Sequence, residues 1–258
     1  MEISMGDWSA SFSMLENSNI WVYIGKGVLF TLIISVIAVV ISIFWGSVLA
    51  LVRNYCTGSK KNALRDWILK VLHALSVVYI EVSRNTPLLL WIFICVVFCP
   101  CPSLFERKLF GLTSVETKLL FKAAVALILF EASVIAEIIR GGLNAVDKGQ
   151  FEAGHAQGFS ILQVMIYIVL PQAYRKIVPT LLSQVISTIK DSSYLANVAT
   201  IELMARVKKV LSSASIYNGT GNIFASDVFV LFGCAMLIYF VINYSLSCVV
   251  RGMQKKGV

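Results

Sequence analysis

Gly27 to Val52 and Val228 to Val250 are strongly apolar and contain no charged residue. A helix needs roughly 20 mainly apolar residues to cross the hydrocarbon core of a bilayer. Both stretches therefore read as spans, the first and the last. Between them, residues 85 to 104 are apolar from Leu88 to Phe98, and residues 119 to 139 are apolar except for Lys122, Glu131 and Glu137. A further span is expected from about Ile177 to Ile189. Trp67 to Val82 resembles a sixth until its helical phase is followed. At about 100° per residue, Asp66, Lys70, His73, Glu81 and Arg84 fall in one narrow sector, so this segment is expected to be an interfacial helix lying against the bundle. The pattern predicts an all-α integral membrane protein, a bundle of five spans, with six as the competing count.

Charge sets the orientation of such a bundle. Arg53, Lys60, Lys61, Arg65, Lys70 and Arg84 follow the first span; Arg140, Lys148, Arg175 and Lys176 follow the third; Arg251, Lys255 and Lys256 close the chain. Five spans place all three groups on one side, the cytoplasm by the positive-inside rule, with the N-terminus outside and the C-terminus cytoplasmic. Arg206, Lys208 and Lys209 then fall on the outer side, where longer translocated segments obey the rule weakly. The expected divisions are residues 1–26 outside, 27–250 as the membrane domain and 251–258 as a cytoplasmic tail. Residues 1–20 carry Glu2, Asp7 and Glu16 and no basic residue, so the first apolar run is expected to be retained rather than cleaved as a signal peptide.

Composition agrees with a membrane protein. Apolar residues make up 58% of the 258, charged residues 14%, and the mean hydropathy is +0.81, which leaves no stretch for a sizeable soluble domain. In so apolar a chain the net charge of +8 points to basic loops rather than to nucleic acid. Cys56, Cys95, Cys99, Cys101, Cys234 and Cys248 form no CxxC pair with metal-ligand spacing, and a disulfide between Cys99 and Cys101 across Pro100 would be strained. With His73 and His155 as the only histidines, neither a metal cluster nor a Ser/His/Asp constellation is expected.

The most informative polar stretch runs from about 149 to 171, between two apolar segments. Phe151 to Gln157 reads as a short helix, Gly158 permits a turn that a residue with a β-carbon resists, and Ile161 to Val169 reads as a second helix. Pro171, lacking an N–H, is expected to set the angle at which the chain re-enters the membrane. Glu152, Ala153, Gly154, Gly158, Ile168, Leu170 and Pro171 match the E-A-A-x3-G-x9-I-x-L-P signature of ABC importer permeases at every position except the third, where glycine replaces alanine.

Three further segments carry the same resemblance. Tyr79 to Leu90 (YIEVSRNTPLLL) looks like the E-x-x-R-G/N-T-P-L-L segment of the polar amino-acid uptake subfamily. Ala136 to Asn144 (AEIIRGGLN) resembles its A-E-I-x-R-G-G stretch, and Lys190 to Ser193 (KDSS) its K-D-T/S-S turn. The chain is thus similar to type I ABC importer permeases of the glutamine, histidine and arginine kind, with Glu81, Arg84, Thr86, Pro87, Glu137 and Arg140 as structural motif residues. The resemblance implies a non-catalytic subunit of the bacterial inner membrane that pairs with a second permease copy or a homologue. The same resemblance implies that it is fed by an extracytoplasmic amino-acid-binding protein and driven by cytoplasmic ABC ATPase subunits that would seat Glu152 to Gly158. No cofactor is expected on this chain, since it has no GxxxxGK[ST] loop; ATP and Mg belong to the partner ATPase. Two departures are Trp91, where the subfamily commonly has glutamine, and Gly154, expected to loosen its helix by about 1 kcal/mol relative to alanine. A secondary transporter or channel is the alternative, but no internal duplication of the kind common in secondary carriers is evident.

Candidate cargo contacts are polar groups in or beside spans, because an ionisable group there is costly to bury. Glu131 could pair with an α-ammonium group or, equally, with another span. Lys190 and Asp191 could meet an α-carboxylate or satisfy the interface, and Ser183, Gln184 and Ser187 could line a path or bond between helices.

Overall fold

A computed structural model of the protein describes residues 8–55, 63–108, 111–198 and 201–255. Glu2, Asp7, Cys56, Lys60, Lys61 and Lys256 lie outside the described residues. Every described element is helical: α1 (Trp8–Ser13), α2 (Ser18–Tyr55), α3 (Ala63–Arg84), α4 (Leu88–Phe98), α5 (Ser114–Asn144), α6 (Lys148–Ala156), α7 (Ile161–Val164), α8 (Leu170–Asp191), α9 (Leu203–Ser212), α10 (Ala214–Tyr217) and α11 (Ala225–Lys255), with short 3₁₀ and π turns between them.

Among the described residues, three helices are long and apolar enough to cross a membrane: Ser18–Asn54, Ser114–Asn144 and Ala225–Gln254. They contain the expected first, third and last spans, each extended beyond its apolar run. A fourth appears if Leu64–Arg84 and Leu88–Phe98 count as one span, broken at residues 85–87 and bent there by 115°. The break follows from Pro87, which disfavours helix in the residue before it. By itself α4 is only 11 residues, about half of what a crossing needs. Helix α8 holds the expected fourth span and has 22 residues, yet Gln172, Arg175, Lys176, Gln184 and Lys190 keep its composition below that of a plain apolar span. Against five expected spans, length and composition mark three, or four with the bent pair.

The chain forms two compact units. One comprises Met1–Ile37, Leu89–Leu127 and Thr188–Leu246. Its core joins Ile20 and Ile24 of α2, Leu203, Val207 and Val210 of α9, and Leu231 and Ala235 of α11. The other comprises Ala38–Leu88, Ile128–Ser187 and Ser247–Val258. Its core joins Leu143 and Val146 to Val164, Val169, Ala173 and Ile177. In this second unit α2 and α5 approach closely at Gly46, where a β-carbon would lie 2.9 Å from the Ile135 side chain and 3.0 Å from the Ala132 carbonyl oxygen. Beside it the Ser42 hydroxyl donates to the Ile128 carbonyl at 2.9 Å.

Candidate functional site

The polar stretch between α5 and α8 folds as a closed elbow. Asp147 caps α6 by accepting from the Gly149 N–H at 2.8 Å. The helix stops at Gly158, whose φ of +86° is the left-handed conformation that glycine adopts without cost. There the Gly158 N–H donates to His155 O at 2.9 Å and the Phe159 N–H to Gly154 O at 3.1 Å. Ser160 and Gln163 open the next helix as a capping box, with Ser160 N–H donating to Gln163 Oε1 at 2.8 Å and Gln163 N–H to Ser160 Oγ at 3.4 Å. Gln172 donates back to Gln150 at 3.0 Å, and the Lys176 ammonium donates to Ala145 O.

Two features of this elbow go beyond the sequence pattern. Pro171 lies one residue into α8, and α7, a π turn over Met165–Val169 and α8 follow one another without a break, so the proline follows an irregular turn inside a continuous helical run. The Leu170 N–H reaches back to Met165 O in that turn, and the wider winding accommodates a residue that cannot donate. Gly154 does not merely loosen α6. It is buried, and a β-carbon there would lie 2.8 Å from Val164 Cγ2 and 3.0 Å from Ile168 Cδ1, so its missing side chain is what lets α6 lie against the next helix. The motif therefore divides. Glu152 and Ala153 are exposed on the outer side of α6, while Leu170 and Pro171 line an open apolar cavity of about 650 Å³ with Ile43, Leu143 and Leu181.

Behind the elbow, the two resembling segments meet. The Glu137 carboxylate accepts from Arg53 and, at 2.8–3.0 Å, from Arg140, and lies 3.6 Å from Arg84. Arg53 also bridges to Glu81 at 3.0 Å. One carboxylate with 13% side-chain exposure thus ties α2, α3 and α5 together. Thr86 donates to Val82 O at 2.7 Å and closes the end of α3 just before Pro87. Arg53 enters the sequence reading only as a loop charge; its one signal is that it is the first charge after the uncharged run.

The cargo candidates separate into three groups. Glu131 is fully buried and accepts from Gln184 Nε2 at 2.8 Å, joining α5 to α8. Ser183 and Ser187 bond to carbonyls of their own helix, Pro179 O at 3.1 Å and Ser183 O at 3.5 Å. Lys190 is exposed at the end of α8, with Asp191 half-buried beside it. A polar cluster not foreseen from sequence sits in the first unit. Glu202 caps α9 from a fully buried position, and Arg206, counted as an outer loop charge, is 8% exposed and packed over Tyr23. Lys208 and Lys209 are exposed.

Comparison with known proteins places this geometry. Residues 67–256 match the family model described as binding-protein-dependent transport system inner membrane component. The chain is 34% identical to a probable glutamine ABC transporter permease of Bacillus subtilis (strain 168), covering 96% of this chain and 98% of that one. It is 33% identical to a glutamate/aspartate import permease of Escherichia coli O6:H1, covering 97% of each. A crystal structure of an amino acid ABC transporter with histidines shares the fold over 99% of this chain and 100% of that one, with a TM-score of 0.70 at 23% identity. The methionine ABC transporter MetNI in an inward-facing form covers 92% of this chain and 99% of its own with a TM-score of 0.60 at 17% identity. The chain, with its apolar helices and its capped, glycine-closed elbow, belongs to the family of binding-protein-dependent transport system inner membrane components.

Proposed function

We propose that this chain is the membrane-spanning permease subunit of an ATP-driven importer for polar amino acids, with glutamine as the leading cargo. The observation that carries the reading is the elbow. A short capped helix presents the exposed Glu152 while its other side, at Gly154, is pressed onto Val164 and Ile168. Such an element moves as one body with α8, as transmission of a cytoplasmic motion to a membrane bundle requires. The names of the relatives support amino acids as cargo, and the glutamine-type names support the order of preference.

In this reading α6 seats in a cytoplasmic ATPase that binds ATP and Mg, and the chain itself hydrolyses nothing. Residues 1–26 face outward, 27–250 form the five-span permease domain, and 251–258 form the cytoplasmic tail. An extracytoplasmic amino-acid-binding protein delivers cargo, and a second permease copy or homologue completes the path. Reconstitution with the ATPase and binding protein in liposomes tests this: glutamine uptake is expected to require ATP, and uptake persisting without ATP overturns it. Glu152→Lys is expected to lower coupled ATPase activity with membrane insertion intact; normal coupling in that variant removes the docking role from α6.

A further inference from the structure

The apolar cavity beside Pro171 has a smaller neighbour, with which it shares Pro171 and Arg175. The larger, about 650 Å³, is walled by Ile43 of α2, Ile139 and Leu143 of α5, and Leu170, Ile177 and Leu181 of α8. From Leu170 to Leu181 it follows α8 for about 16 Å. That is close to one leaflet, half of a hydrocarbon core about 30 Å thick. Ser47 also lines it, but its hydroxyl donates to Ile43 O of its own helix at 2.6 Å. A polar amino acid placed against these walls would lose its water without replacement bonds. A hydrocarbon chain loses nothing there.

The smaller cavity, about 280 Å³, has polar groups where the larger has none. Tyr167 brings a hydroxyl, Arg175 a guanidinium, and Gln172 an amide that also donates to Gln150 at 3.0 Å. Helical side chains lean toward the N-terminus of their helix, so Arg175 leans toward the elbow. Among the described residues, no carboxylate lines either cavity or pairs with Arg175. A guanidinium without a carboxylate suits the planar, two-bonded recognition of phosphate. Tyr167 and Tyr174 beside it are both exposed, as tyrosines at headgroup level are.

We propose that the two cavities form one site for an anionic phospholipid of the leaflet on the elbow's side. An acyl chain fills the groove between α2, α5 and α8, and the phosphate sits on Arg175, as basic pockets between membrane helices hold anionic headgroups. Joined apolar and cationic chambers call for an amphiphile, and the missing carboxylate leaves nothing to hold a choline cation. The site depends on the membrane setting alone; neither the cargo nor the ATPase enters it.

Photocrosslinking tests this in the full chain, in nanodiscs of unlabelled phosphatidylcholine. A trace of phosphatidylglycerol or of phosphatidylcholine carries the same photoreactive acyl chain, and cross-linked peptides are mapped by mass spectrometry. Labelling around Ile43, Leu143 and Leu181 is expected to favour phosphatidylglycerol about fivefold. Arg175→Gln, at an exposed position, is expected to abolish that preference while phosphatidylcholine labels the walls as before. Ser47→Phe loses only a bond within its own helix and narrows the groove, so labelling by both lipids is expected to fall. Equal labelling by the two lipids in wild type, a preference unaltered in Arg175→Gln, or labelling unaltered in Ser47→Phe overturns the site. Walls unlabelled by either lipid also overturn it, as a groove covered by a second copy of the chain would be.

Discussion

The contact at Gly154 makes a quantitative prediction about the elbow. Replacing Gly154 by alanine brings a methyl group to 2.8 Å from Val164 Cγ2 and 3.0 Å from Ile168 Cδ1. Ordinary carbon contacts begin near 3.5 Å, so the Val164 side must retreat by roughly 0.7 Å. Ile168 can swing its terminal methyl aside, but Val164 is β-branched and fully buried, with little rotamer freedom. Overpacking of this kind costs about 1–3 kcal/mol, while alanine recovers about 1 kcal/mol of helix propensity. The balance is a loosening of the elbow by about 1 kcal/mol, equivalent to about fivefold faster opening.

Hydrogen exchange at the Gly158 and Phe159 amides, whose bonds close the elbow, reads that opening. Val164→Ala alone should also loosen it, by about 1.5 kcal/mol for the methyl groups lost. The double variant should do better than the sum by about 1–2 kcal/mol, because the new methyl fills the space vacated at Val164. Slower exchange in Gly154→Ala, with no coupling to Val164→Ala, would refute the packing argument. The propensity gain would then outweigh the contact.

Two further variants test the clusters behind the elbow. Glu137→Gln leaves Arg53, Arg84 and Arg140 facing only Glu81, and the loss of a partly buried ion-pair centre should cost about 2 kcal/mol. Thermal unfolding in detergent should show a lower midpoint, and added salt should narrow the difference from wild type. Glu131→Gln keeps a carbonyl oxygen for Gln184 Nε2, so near wild-type stability and unchanged cargo preference are expected. Altered amino-acid competition in liposome uptake, with stability intact, would instead place Glu131 on the cargo path.

Much of the fold was legible along the chain because its causes are local. Apolar runs, two of them uncharged, located the long apolar helices, and Gly158 marked the turn it makes. The phase of Asp66, Lys70, Glu81 and Arg84 located a polar stripe whose members now pair, Asp66 with Lys70 at 2.7 Å and Glu81 with Arg53 at 3.0 Å. Pro171 signals a missing donor, and the π turn over Met165–Val169 just before it is not legible in that signal.

The sequence by itself determined the membrane class, the polar elbow and the motif by which the family is recognised. Each of these rests on composition or on turn and capping chemistry within a few residues. Only the tertiary structure decided which distant groups meet. Arg53 reaches Glu137 across 84 positions, Glu131 reaches Gln184 across 53, and Arg206 reaches the Tyr23 carbonyl across 183. Those meetings depend on the register and crossing of packed helices, which helical period leaves open. They gave the cargo candidate Glu131 a partner on another helix, turned a loop arginine into a buried one, and made an apparently weak glycine the contact that sets the elbow.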